Sequence, residues 1–376
     1  MSGAEPTPGE PAAHEFASEV IRACRSLGFA SAGITDARGA TRADFLADWL
    51  KAGRHGQMDW MEEHAAARAD IRCLLPNAKS VVMVSDRYAS ASTSGVSREV
   101  APGRGRVAKY ALGRDYHEVV KRRLQSLADR LRARFKSEEF RVFVDTAPVL
   151  EREHAARAGL GFIGKHTLLI DPEAGSYVLL GGLVTSLALT PTVTRSASGS
   201  IDPESHCGTC TKCIDACPTG AIAPYEMDAT RCISYLTIEH EGPIDVRFRR
   251  AMGDWVFGCD ICQDVCPFNH AHIGRGESVV NTAYRARAGL EDGTLDLIEV
   301  LGWTAEQRQT QLTVSAGKRA SLEMMRRNAA IAAGNAIVTH DLPALKERLV
   351  EISNDEGEDA AMRRFAGDAL RGSATE

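Results

Sequence analysis

The sequence lacks a long apolar run: none approaches the ~18 residues that a membrane-spanning helix needs. It lacks an excess of positive charge, with 45 Lys and Arg against 50 Asp and Glu and a formal charge of −5. A uniformly basic nucleic-acid coat is thereby excluded, although a local basic face is not. The opening stretch MSGAEPTPGEPAAHE holds neither a basic leader nor an apolar core. A cytoplasmic protein with no membrane partner is expected. The first half has little cysteine, only Cys24 and Cys73, and each reads as a small buried apolar side chain.

The other eight cysteines crowd between Cys207 and Cys266. In a reducing compartment such crowding points to metal rather than disulfides. The first four read Cys207-x-x-Cys210-x-x-Cys213-x-x-x-Cys217-Pro218, the bacterial ferredoxin run. In that run three thiolates hold one 4Fe-4S cluster and the fourth ligates the other. The rest are Cys232, Cys259, Cys262 and Cys266-Pro267, a second run with its first member moved away by an insertion. The cross-over rule assigns Cys207, Cys210, Cys213 and Cys266 to one cluster. Cys217, Cys232, Cys259 and Cys262 go to the other. A pair of structural zinc sites is the plainer alternative, but zinc leaves two Cys-x-x-x-Cys-Pro endings unexplained. Two neighbouring clusters form a relay for single electrons.

At 376 residues there is room for two or three domains. Residues 1–13, rich in Pro and Gly, read as a disordered tail. From 14 to 195 short apolar runs (Ala30–Thr35, Ser80–Ser85, Phe140–Val144, His166–Ile170, Tyr177–Leu189) alternate with helical stretches at 14–27, 41–52, 115–136 and 148–158, the pattern of an α/β domain. Ser90–Arg106 reads as a mobile loop and 196–200 as a linker into a ferredoxin-like module, 196–275. From 290 to 376 three amphipathic stretches, Ser321–Ala333, Leu342–Ile352 and Asp359–Leu370, suggest a HEAT-like helical domain.

Two motifs in the α/β region are decoys. Gly159-x-Gly161-x-x-Gly164-Lys165 fits both a dinucleotide fingerprint and a P-loop, yet both need a preceding strand and a helix is expected there. It reads instead as a glycine turn closing that helix, where backbone comes close to a ligand. Asp115-x-His117 opens like a cobalamin-binding D-x-H-x-x-G, but Val120 replaces the glycine. His117 is therefore expected to be a surface or capping residue.

The whole chain from about 14 to 370 nevertheless resembles one family, the epoxyqueuosine reductases. The matching pieces are Tyr110-Ala-Leu-Gly-Arg-Asp-Tyr-His117, Val144-Asp145-Thr146, Arg157-Ala-Gly-Leu-Gly-Phe-Ile-Gly-Lys165 and Cys207–Pro218. They continue with Arg231-Cys-Ile-Ser234, Gly258-Cys-Asp-x-Cys-Gln263-x-x-Cys-Pro267 and Arg327-Asn328-Ala. The residues after Asp145, Thr-Ala-Pro148, depart from the pattern without disturbing it. The resemblance implies reduction of an epoxide to an alkene in tRNA, the last step of queuosine biosynthesis. It implies base-off cobalamin (B12) between the α/β and ferredoxin-like layers, two 4Fe-4S clusters and a flavodoxin- or ferredoxin-type reducing partner. A monomer is expected. Removing the epoxide oxygen as water takes two electrons and two protons.

By the same resemblance Asp145 is the proton donor and part of the cobalamin site, with Arg68, Ala108, Leu169, Leu180, Ser234, Asp260 and Gln263. A carboxyl donating near neutral pH needs a raised pKa, for which burial is the expected cause. Read alone, Asp145 would be the N-cap of the stretch 148–158. RNA contact must be local. Between Arg98 and Lys136 twelve Lys and Arg face four Asp and Glu. Arg152, Lys165, Lys318, Arg319, Arg326 and Arg327 add cations that phosphates would attract. A single-stranded anticodon loop can splay the substrate base into a pocket. Two rivals stay open: a ferredoxin-type electron-transfer subunit, which needs no corrinoid, and a reductive dehalogenase-like corrinoid enzyme.

Overall fold

The computed structural model describes residues 10–89, 100–193, 204–270 and 281–372. Residues 1–9 of the expected tail, 90–99 of the expected loop and the linker 196–200 lie outside these. The first helix, Glu10–Ser26, begins inside the stretch read as tail and ends on Gly28, whose φ of +87° suits glycine.

The first layer is a sheet in the order Ser31–Asp36, Ser80–Arg87, Val178–Thr185, Phe140–Phe143. Alternating helices and strands ordinarily give a parallel sheet. Here every pairing is antiparallel. All eight residues of Ser80–Arg87 are buried, because helices cover both faces of this central strand. One cover is the helix Tyr116–Arg134. It buries Val120, Leu124, Leu127 and Leu131 in one stripe and turns Lys121, Arg122 and Arg130 outward. Each fully buried leucine contributes about 1.5–3 kcal/mol.

A second sheet joins three regions. Arg104–Val107, expected to be loop, is its middle strand, paired parallel to Trp255–Phe257 and antiparallel to Thr294–Asp296. Its composition, rich in Gly and Arg, hid the strand. The two decoy readings are settled by what precedes the glycines: the helix Glu151–Arg157, not a strand. Gly161, at φ +151°, brings the chain against the Ile170 carbonyl, so the close approach serves backbone packing rather than a ligand.

The tail holds the helices Leu322–Thr339, Pro343–Asn354 and Ala360–Gly372. The first runs through the stretch read as a turn at Gly334, which packs on Ala369. This layer is not an appendage. The Arg327 guanidinium, 1% exposed, donates to the carbonyls of Leu236, His240 and Gly242, and Asn328 donates to those of Thr237 and Val256.

Candidate active site

Asp145 sits two residues beyond the strand Phe140–Phe143, at a φ of +43° that non-glycine residues rarely adopt. Such strain costs about 1–3 kcal/mol and persists only where surroundings impose it. Here they do. The Glu151 carboxylate accepts the Asp145 N–H at 2.6 Å, while Tyr116 Oη donates to Asp145 Oδ2 at 2.7 Å and His117 Nε2 lies 3.0 Å from the same oxygen. Asp145 is therefore no helix cap: the N-cap of Glu151–Arg157 is Leu150, with no side-chain bond.

His117 departs from expectation too. Its Nδ1 stands 2.7 Å from Asp115 Oδ1, so the ring bridges two carboxylates. Asp115 is the true cap, accepting the His117 N–H, and is only 1% exposed. Its other oxygen meets Lys318 Nζ at 2.6 Å, and its N–H donates to the Val314 carbonyl. Tyr116 and His117 stack at 4.0 Å. His117, Tyr116, Asp115 and Glu151 are functional candidates that the sequence reading passed over. Asp115-x-His117 was the available signal, judged against the wrong motif.

The charges divide sharply. Burial opposes ionisation of Asp145, but hydrogen bonds from His117 and Tyr116, with the charges of His117 and Arg152, hold its carboxyl below the usual range. That is opposite to the expected rise. Burial and the Asp145 charge push Glu151 up to about 8. Burial lowers His117, yet its bonds and attraction to Asp115 and Asp145 raise it to about 9. Asp145 keeps 55% of its side chain accessible although protein surrounds it densely, as on the floor of a cleft.

The helix Ala65–Ala69 brings Arg68 towards this cleft, where the charges of Asp145 and Glu151 support its guanidinium against the burial that lowers its pKa. Arg68 Nε is buried without a partner. Ser234 and Leu180 are half-buried. Ala108, Leu169 and Asp260 are sealed inside at 2% exposure or less. Asp260 accepts the Lys109 N–H, and Gln263 Oε1 accepts from Ser176 and Tyr88, so these polar groups already have protein partners. In this structure the side chains of these four expected lining residues pack within the protein. Tyr110 feels the charges of both Asp145 and Asp260, so the acid and the residue after Cys259 both lie near this ring.

The cysteines fall into two neighbourhoods. Cys213 feels the charges of Cys266, Cys207 and Cys210, whereas Cys259 feels those of Cys232 and Cys217, and Cys262 those of Cys259 and Cys232. Cys262 also senses Cys213, so the sets adjoin. Among the described residues no three such side chains converge on a single metal ion.

The expected RNA cations separate. Arg327 is buried and wholly bonded, which removes it from any RNA surface. Arg326, 13% exposed, pairs with Glu358 and the Leu301 carbonyl. Lys165 donates to the carbonyls of Gly208 and Cys210, clamping the first cysteine loop. Arg152, Lys318 and Arg319 stay at the surface, although Arg152 donates to Thr167, Lys318 pairs with Asp115 and Arg319 pairs with Glu239. No described helix is long and apolar enough to cross a membrane.

Residues 206–269 match the family described as "4Fe-4S double cluster binding domain". With the acid-bearing cleft beside it, this module defines an iron–sulfur oxidoreductase. Residues 68–146 match "Epoxyqueuosine reductase QueG, DUF1730". The epoxyqueuosine reductase of Pseudomonas aeruginosa is 40% identical over 328 residues, 86% of this chain and 87% of that one. The chain belongs to the epoxyqueuosine reductase family. Its fold is similar to an epoxyqueuosine reductase crystallised with an epoxyqueuosine-modified tRNA stem loop, with TM-score 0.81, 27% identity, and 96% and 90% coverage of the two chains. It is also similar to the Bacillus subtilis enzyme with its catalytic aspartate loop swung out of the active site, with TM-score 0.80, 26% identity and the same coverage.

Proposed function

We infer that this chain reduces epoxyqueuosine in tRNA to queuosine, with Asp145 as proton donor. The observation that carries the assignment of the site is a water-reached, strained Asp145 bonded to Tyr116, His117 and Glu151, in a chain that also carries two sets of four thiols. Each set would hold a 4Fe-4S cluster, and the pair would supply single-electron transfer from a flavodoxin- or ferredoxin-type donor. Cobalamin would be held by Arg68, whose buried Nε has no partner among the described residues, with the half-buried Ser234 and Leu180 beside it. When bound, cobalamin supplies the strongly reducing chemistry that epoxide opening needs.

The residues of the chain do the rest. Glu151 holds the Asp145 backbone, Tyr116 and His117 fix its carboxyl, and the water-reached side faces the departing oxygen. The outward basic face of Tyr116–Arg134, with Arg152, Lys318 and Arg319, attracts the anticodon arm. The tail is read as HEAT-like, docked against the cluster module, and the enzyme as a monomer. Anaerobically purified protein should contain iron, sulfide and cobalt and convert the epoxide in a tRNA stem loop. Cys266→Ala should remove the cluster of Cys207, Cys210 and Cys213 and spare the other. Purified protein that holds both clusters, no corrinoid and no activity would return it to the class of plain electron carriers.

A further inference from the structure

The reaction consumes two protons, and Asp145 is the donor assigned to it, water-reached on its open side. Asp145 must therefore be reloaded within each turnover. Its carboxyl is 55% accessible on one side and bonded on the other to Tyr116 and His117. Tyr116 is a poor source, because burial and the Asp145 charge hold its hydroxyl well above its ordinary pKa.

His117 is built differently. Both ring nitrogens face carboxylate oxygens, at 2.7 Å to Asp115 and 3.0 Å to Asp145. A neutral imidazole has one N–H and one lone pair, so it would turn the lone pair on an anion; only the imidazolium suits both neighbours. Asp115 in turn is 1% exposed and anchored by Lys318 Nζ and by its own N–H on the Val314 carbonyl, both from the tail layer. The ring is 29% exposed, so water reaches it.

We propose that His117, held by Asp115 and Lys318, reloads Asp145 with a proton between the two protonations of one turnover. This rests on Asp145 being the donor. The Nε2–H bond breaks as the Asp145 Oδ2–H bond forms, leaving neutral imidazole with Nδ1–H still on Asp115. Asp145 then protonates the oxygen as its bond to carbon opens, and water restores the imidazolium. Two electrons from the reduced clusters and two protons passed in this way turn epoxide into alkene and water. The charged groups facing His117 are Asp115, Asp145, Glu151 and, through Asp115 and Asp145, Lys318, Arg152 and Arg319.

The test is His117→Gln in pre-reduced holoenzyme, with single turnover of an epoxyqueuosine stem loop followed from pH 6 to 9. Loss of about 10²-fold is expected at pH 8, the scale of one acid–base group, with at least tenfold recovered by pH 6 as Asp145 draws protons from water directly. Wild type should stay flat over most of that range. Asp115→Asn should fall between the two. Nitrogen NMR of the histidines should show His117 protonated at pH 7 in wild type and its titration lowered by at least one pH unit in Asp115→Asn. A His117→Gln profile parallel to wild type, or a neutral His117 at pH 7, would overturn the proposal. Wild-type holoenzyme that leaves the epoxide intact would overturn the assigned function as well.

Discussion

At the junction of tail and cluster module, every guanidinium N–H of Arg327 meets an acceptor, either a carbonyl or Asn328 Oδ1, and the side chain is 1% exposed. At the cleft, Asp145, His117, Glu151 and Asp115 are as densely bonded, yet more than half of the Asp145 side chain stays open. The difference lies in what the partners are. Arg327 is matched with groups that cannot titrate, so its charge is fixed; burial lowers its pKa only to about 10. The cleft residues are matched with one another, so each proton moved changes the affinity of the next. One cluster of polar side chains ties layers together and the other handles protons.

The comparison breaks most visibly at Asp145. Asp145→Asn keeps size and hydrogen bonds but removes the acidic proton, and should lower single-turnover reduction ~10²–10⁴-fold with iron and cobalt content unchanged. A near-wild-type rate would take Asp145 out of the chemistry. At the junction, Arg327→Met takes the donor from three carbonyls, those of Leu236, His240 and Gly242, of which the first is buried and the other two half-buried. It should cost at least about 3 kcal/mol in denaturant unfolding, while the rate per folded molecule changes little. Unchanged stability would mean the carbonyls find other partners.

The two regions should also differ in how stability follows pH. His117 has a folded pKa of about 9 against 6.5, and Glu151 about 8 against 4.5. Both therefore contribute stability that is full below the unfolded values and lost as pH rises through the folded ones. Asp145 and Asp115 are depressed and act the other way, losing theirs only in acid. Tm should fall from pH 7 to 9, and fall less in His117→Gln, since only Glu151 then titrates; an equal slope would contradict the sign. The smallest effect concerns RNA. Arg152→Ala should weaken stem-loop binding a few-fold and reduce its salt dependence by about one phosphate contact, whereas Arg326→Ala should not. Equal losses would show that the Arg326–Glu358 pair opens on binding.

Much of this was legible beforehand because spacing carries chemistry. The ferredoxin runs declared themselves, and residues 206–269 match a double-cluster domain. Strands such as Ser80–Arg87 showed as continuous apolar runs. What stayed hidden depends on chain folding back on itself. Arg104–Val107 has a loop's composition and becomes a strand only because Trp255–Phe257 and Thr294–Asp296 flank it. Arg326 and Arg327 look alike in sequence, yet the helix turns one to Glu358 and the other inward. His117 gains meaning from Asp145, which the fold sets beside it across 28 residues of chain.

The middle strand Arg104–Val107 also imposes an order on synthesis. Its last partner, Thr294–Asp296, leaves the ribosome roughly 190 residues later, on the order of 10–40 s at usual rates of translation. All eight clustered cysteines emerge before that strand does. For that interval the nascent chain carries its iron ligands on a module that can already pair with Arg104–Val107 through Trp255–Phe257, while the other edge of that strand is still unclosed. Loading by iron–sulfur donors thus has a natural window during translation. A chain released before residue 296 would keep an open sheet edge beside its thiols, an invitation to pairing with other chains.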